Sequence, residues 1–185
     1  MKLTSKGSST SALGSQATPG RREFLQTMIA GAGATAVMGA SPFESAFAKG
    51  DTTCDALLLS CMDFRLIRHI AAHMATRGLT DDYDHVILAG ASLGANNKVM
   101  PGWGQTFWNH FHLAIGLHRI NRVIVMDHRS CGAYEKTFGK ERYRRNETEL
   151  HTSQLRTLRA AIRKNSKLEV HLLLMDLSGK VETIS

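Results

Sequence analysis

Three prolines, three cysteines and an aromatic content of 6% are what this 185-residue chain has little of, and a long apolar run is what it lacks outright. Three cysteines cannot build a disulfide scaffold, which needs several even-numbered pairs in a short chain. Without a stretch of about 18 apolar residues, the chain is not a multispan membrane protein. What is present is 43% hydrophobic and 21% charged residues, enough apolar material for a core at one-domain length, which excludes wholesale disorder. The net charge of +7 raises the question of nucleic acid. Its basic clusters at 136–145 and 156–167, however, fall at helical spacing on a solvated face, with no RNA- or DNA-binding signature, so no nucleic-acid partner is expected.

The first 48 residues read as an address. Residues 1–20 are rich in Ser, Thr, Gly and Ala, and Arg21-Arg22-Glu23-Phe24-Leu25-Gln26-Thr27 follows. A weakly apolar run over 28–40, a break at Pro42 and the small-x-small triplet Ala46-Phe47-Ala48 complete the pattern of a secretory signal cleaved after Ala48. The paired arginines and the mildly apolar Gly/Ala run resemble a twin-arginine signal. The expectation is a precursor handled by the twin-arginine export machinery and a periplasmic or otherwise exported product, with one domain over 49–185. The leader carries Lys2, Lys6, Arg21 and Arg22 against Glu23 and Glu44, so most of the positive charge stays with that domain.

From residue 56 onward the pattern alternates between short apolar runs and helical stripes. Runs at 56–60, 85–89, 122–126 and 170–177 predict strands covered on both faces. Apolar spacing predicts helices over 66–77, closed by Gly78, over 103–118, and over 147–164 with Leu150, Leu155, Leu158 and Ile162 inward. Ser178-Gly179-Lys180 predicts a turn into a short edge strand over 181–184. Strands separated by such helices imply right-handed crossovers, hence an α/β fold with a mainly parallel four-stranded sheet, flanking helices and a C-terminal edge strand. In sheets of this kind ligand chemistry collects beyond the carboxyl ends of the strands.

Three residues stand at those ends. Cys61 follows the first strand directly, and His128 and Cys131 follow the third. If these strands are neighbours, two thiolates and one imidazole converge as a Cys₂His zinc set with a fourth position for water or a carboxylate. The bland alternative is two small buried cysteines and a satisfied histidine.

These residues also carry a family resemblance. Cys61-Met62-Asp63-Phe64-Arg65 together with His128-Arg129-Ser130-Cys131-Gly132-Ala133 resembles the C-x-D-x-R and H-x-x-C-G segments of the β-class carbonic anhydrases, over roughly 54–185. The resemblance implies zinc on Cys61, His128 and Cys131, and reversible hydration of carbon dioxide to bicarbonate by a zinc-bound hydroxide. It also implies that Asp63 accepts a hydrogen bond beside the open position while Arg65 turns it away from the metal. In a closed state Asp63 would instead be the fourth ligand. A homodimer or larger homo-oligomer is implied as well. Three positions in two segments depart from the family pattern. Ile87-Leu88-Ala89-Gly90 stands where an R-N-A-G-like segment is usual, and Asp127 where glycine commonly precedes the ligand histidine. An apolar wall suits carbon dioxide and equally carbonyl sulfide or carbon disulfide. Alternative readings are therefore a hydrolase of those gases on the same zinc, a catalytically silent zinc-binding interaction protein, or a thiol-redox protein.

The remaining candidates read as structural. Cys54 is a strand-edge thiol, with an intersubunit disulfide as the sharper possibility. His69 and His73 share a helix face at metal-binding spacing without a third ligand, and His110, His112 and His118 accompany the aromatic helix. Gly90-Ala91-Ser92-Leu93-Gly94 lacks the full fingerprint of a phosphate loop. The stripe from Trp103 to Phe111 fits a core or a dimer contact.

Overall fold

The computed structural model describes residues 52–185, and its first strand shows why the apolar runs become a sheet. β1, Ala56–Ser60, is buried at every position, so both sides of its pleat are covered. β2, Tyr83–Ile87, and β3, Arg122–His128, flank it in parallel, with Leu58 opposite His85 on one side and Ile124 on the other. β4, Glu169–Met175, runs parallel to β3. β5, Val181–Thr183, returns antiparallel on β4 after a turn in which the Asp176 amide donates to the Lys180 carbonyl. The order is β2-β1-β3-β4-β5, the expected α/β architecture of four parallel strands and a short C-terminal edge strand.

Helices cover both faces. A 3₁₀ turn at Phe64–Leu66 leads into α1, Ile67–Thr76, whose Ile70 and Met74 pack with Leu66 on Ala56, Leu58, Ile124 and Leu173. The opposite face carries α2, Ser92–Ala95, α3, Trp103–Leu113, α4, Gly132–Phe138, and α5, Lys140–Asn165. There Phe107, Phe111, Leu155, Leu158 and Ile162 meet Leu57, Leu59, Val123, Val125 and Leu172. Alternate strand residues thus feed two separate cores, as the two-residue period of a strand dictates. Each fully buried Leu or Phe contributes about 1.5–3 kcal/mol, so the sheet is held from both sides.

Three particulars differ from the pattern-based expectation. β2 begins at residue 83 rather than 85 and is an edge strand, so Ile87 is 53% exposed instead of buried. After α3 the chain continues to His118 as a wider π turn, ended by Arg119 at φ 52°. α5 starts at Lys140, seven residues early, and kinks at Asn146 (φ −130°, ψ 25°). The aromatic stripe takes the core reading: Phe107 and Phe111 are fully buried, because α3 lays it on the sheet. The expected leader over 1–48 and its cleavage point lie outside the described residues. Among the described residues no helix is long and apolar enough to cross a membrane.

Candidate metal centre

Ser60 pairs with Met126 across β1 and β3, so Cys61 and His128 leave the same end of the sheet side by side. Ser130, at φ 57°, then turns the chain back and delivers Cys131 to the start of α4. Cys61 and Cys131 are buried, their Sγ atoms 4.0 Å apart. Two thiolates on a tetrahedral zinc, at ~2.3 Å each, stand ~3.8 Å apart. The His128 ring is buried, with Nδ1 2.8 Å from the Arg129 carbonyl. That contact makes Nδ1–H the donor and leaves a lone pair on Nε2, which is buried without a partner. The three ligand atoms lie within 4.8 Å of one another. A buried polar atom with no partner costs about 1–3 kcal/mol, a penalty that a cation at this point removes. The donor set fits zinc.

The electrostatics favour a cation too. Hydrogen bonding from the Cys131 thiol holds the Cys61 thiol well below the ordinary range; burial opposes this, while His128 and the Gly90 N–H, 3.2 Å from Cys61 Sγ, assist. The same contact with Cys61, followed by burial, pushes Cys131 up. Burial pulls His128 down, but the Cys61 thiolate and the Arg129 carbonyl outweigh it and the net movement is upward. Two neighbouring thiols therefore cannot both ionise unaided, and a divalent ion between them reverses that constraint.

Asp63 and Arg65 stand at the rim. Arg65 grips the carboxylate at both oxygens, Nε to Oδ1 at 2.9 Å and Nη2 to Oδ2 at 2.6 Å, and Nη2 also donates to the Ser130 carbonyl at 3.1 Å. Asp63 Oδ2 lies 3.8 Å from His128 Nε2. The Arg65 hydrogen bonds hold the Asp63 carboxyl down to about 2 against the opposing effect of burial. Beside Cys61 opens a cleft of about 330 Å³, lined by Met62, Ile67 and Ile87 and by Ser60 and His85, whose side chains meet at 2.8 Å.

A network beneath the centre was not anticipated from the residue pattern. Asp127, 1% exposed, accepts from the Ser92 amide at 3.0 Å, the Ser92 hydroxyl at 2.7 Å, the Tyr134 hydroxyl at 2.5 Å and His151 Nδ1 at 3.0 Å. His151 continues to the Tyr143 hydroxyl at 3.3 Å. That hydroxyl accepts the Cys131 N–H at 2.9 Å and donates to Glu147 at 2.6 Å, and Glu147 in turn receives the Ser130 N–H at 2.6 Å. The loop bearing Cys131 is thus pinned to α5 through Tyr143, Glu147 and His151. Their spacing of four residues was the available signal, since it places all three on one helix face.

Other candidates separate. Gly90 serves Cys61 as an amide donor rather than opening a phosphate loop. His69 and His73 join no donor cluster among the described residues. Cys54 lies at the far end of the sheet, grouped with Asp84 and His118.

No family model matches the chain. An uncharacterised protein of Rickettsia bellii is 43% identical over 131 residues, covering 69% of this chain and 80% of that protein. An uncharacterised protein of Rickettsia conorii is 40% identical over 131 residues, 69% of this chain and 70% of that one. Among solved structures, the chain is similar to a carbonic anhydrase from Glaciozyma antarctica (16% identity, TM-score 0.47, 80% of this chain and 98% of that one). It is similar also to a β-carbonic anhydrase of Aspergillus fumigatus (18% identity, TM-score 0.44, 72% and 76%).

Proposed function

The chain belongs to one family with the two Rickettsia proteins, and we propose that it is a zinc enzyme that interconverts carbon dioxide and bicarbonate. The observation that carries this reading is a buried Cys61–His128–Cys131 set with an unpartnered imidazole nitrogen, flanked by an arginine-locked aspartate. Zinc on these three ligands supplies a Lewis acid that brings the pKa of water towards ~7.

The chain's own residues do the rest. Arg65 occupies both Asp63 oxygens and so keeps the carboxylate from rotating into the ligand ring. Asp63, ionised at all physiological pH, is the acceptor that orients the attacking water through its proton. The apolar walls at Met62, Ile67 and Ile87 admit a small linear apolar gas and shed its charged product. Water adds to carbon, and the released proton passes to solvent. Met62, Phe64, Ile67 and Ile87 are 53–80% exposed around this mouth, an apolar patch that supports pairing with a second copy of the chain. Export by a twin-arginine leader fits the same picture, since a zinc loaded before export shields both thiolates in an oxidising compartment.

The test is stopped-flow carbon dioxide hydration near pH 7 and above roughly pH 8, with zinc content measured on the same sample. Hydration that disappears with the zinc in Cys61→Ser upholds the proposal. Zinc without turnover refutes it. Hydrolysis of carbonyl sulfide or carbon disulfide by such a sample would then assign the alternative reaction, and inactivity on all three gases a zinc-binding interaction role.

A further inference from the structure

The opposite end of the sheet holds a second convergence of metal-binding atoms. Cys54 lies two residues before β1, Asp84 is the second residue of β2, and His118 ends the π turn after α3. The Cys54 amide donates to the His118 carbonyl at 3.0 Å, which fixes the two segments against each other. His118 Nδ1 stands 2.8 Å from Asp84 Oδ2, and the three ligand atoms, Cys54 Sγ included, all lie within 4.8 Å of one another. Ligand-to-ligand edges around a tetrahedral zinc run to about 3.3–3.6 Å for these donor types, longer than the 2.8 Å contact of His118 with Asp84 and inside the 4.8 Å that encloses all three atoms. Asp84 and His118 also line a cavity of about 150 Å³, ample for a water as fourth ligand at ~30 Å³. Both side chains are about one-third exposed, so the position is reachable from solvent.

We propose that Cys54, Asp84 and His118 form a second zinc site, with water in the fourth position, that clamps the amino-terminal end of the sheet. One thiolate and one imidazole exclude hard cations such as magnesium and calcium, which take oxygen ligands. Burial and then the Asp84 carboxylate raise the Cys54 thiol, and a cation at this point offsets both. Coordination there closes two loops of roughly 30 residues and ties the starts of β1 and β2 to the end of the π turn after α3. The site is separate from the Cys61 centre, and the proposal does not rest on its chemistry.

Zinc titration of the reduced full chain against a chromophoric chelator, with cobalt(II) as a spectroscopic probe, tests it. The wild type is expected to bind about two zinc ions per chain, and Cys54→Ser, Asp84→Asn and His118→Ala about one. Cys61→Ser isolates the new site: it should bind about one cobalt with a thiolate-to-cobalt charge-transfer band, and zinc should raise its melting temperature. Wild-type stoichiometry in both Cys54→Ser and His118→Ala, with native circular dichroism, overturns the proposal. If instead the wild type binds about one ion and loses it in Cys54→Ser but not in Cys61→Ser, this site stands and the zinc reading of the other centre fails.

Discussion

Arg65→Ala separates orientation from stability at the proposed active site. Arg65 is 39% exposed and Asp63 15%, so their ion pair belongs to the solvent-screened class worth about 0.2–1 kcal/mol. At roughly 2–4 °C per kcal/mol for a domain of this size, the melting temperature should fall by less than about 4 °C, and zinc content should not change. The catalytic effect is larger. Once both oxygens are released, a side-chain rotation carries Asp63 Oδ2 from its place 3.8 Å from His128 Nε2 into the position that water requires. Misplacement on the ångström scale costs about 10²-fold in rate, or ~2.7 kcal/mol of barrier. The expected outcome is a kcat/KM about 100-fold below wild type in stopped-flow hydration. Arg65→Lys, which keeps the charge and loses the planar fork, should recover only part of it. Wild-type turnover in a zinc-replete Arg65→Ala variant would refute the reasoning.

Two further outcomes follow from the same contacts. Asp127→Ala strands the buried Ser92, Tyr134 and His151 and should cost about 3–5 kcal/mol in urea unfolding; a loss under about 1 kcal/mol would remove the network's structural role. Asp63 releases its proton more readily folded, at about 2, than at its ordinary 3.8. Its contribution to stability is therefore complete above pH ~4 and is lost as pH falls towards 2. Unfolding midpoints of wild type and Arg65→Ala should converge across that window, and parallel curves would contradict the assignment.

Much of this was readable in advance because the relevant forces are local or periodic. Ala56–Ser60 is buried throughout, as an unbroken apolar run between polar flanks demands, and Leu150, Leu155, Leu158 and Ile162 point inward at helical spacing. Cys61, His128 and Cys131 meet because β1 and β3 are neighbours in a parallel sheet, whose strand ends face one way. What was not readable depends on which elements become neighbours. That β2 is an edge strand, and so leaves Ile87 exposed, follows from strand order rather than from residue type. Asp127 ends an otherwise apolar run, and its burial makes sense only once α2, α4 and α5 bring donors to it. The grouping of Cys54 with Asp84 and His118 likewise needs three segments that share no local pattern.

The pairing of β1 with β3 also sets an order of events as the chain folds. His128 and Cys131 are three residues apart, joined by one tight turn at Ser130, whereas Cys61 reaches Cys131 across 70 residues. The first two can come together as soon as β3 and α4 form, but the third arrives only when Leu59 and Ser60 have found Val125 and Met126. Long-range parallel pairing is the slow part of such a fold. Completion of the three-ligand set is therefore tied to the pairing of β1 with β3, so the metal affinity of the refolding chain should report when that pairing has formed.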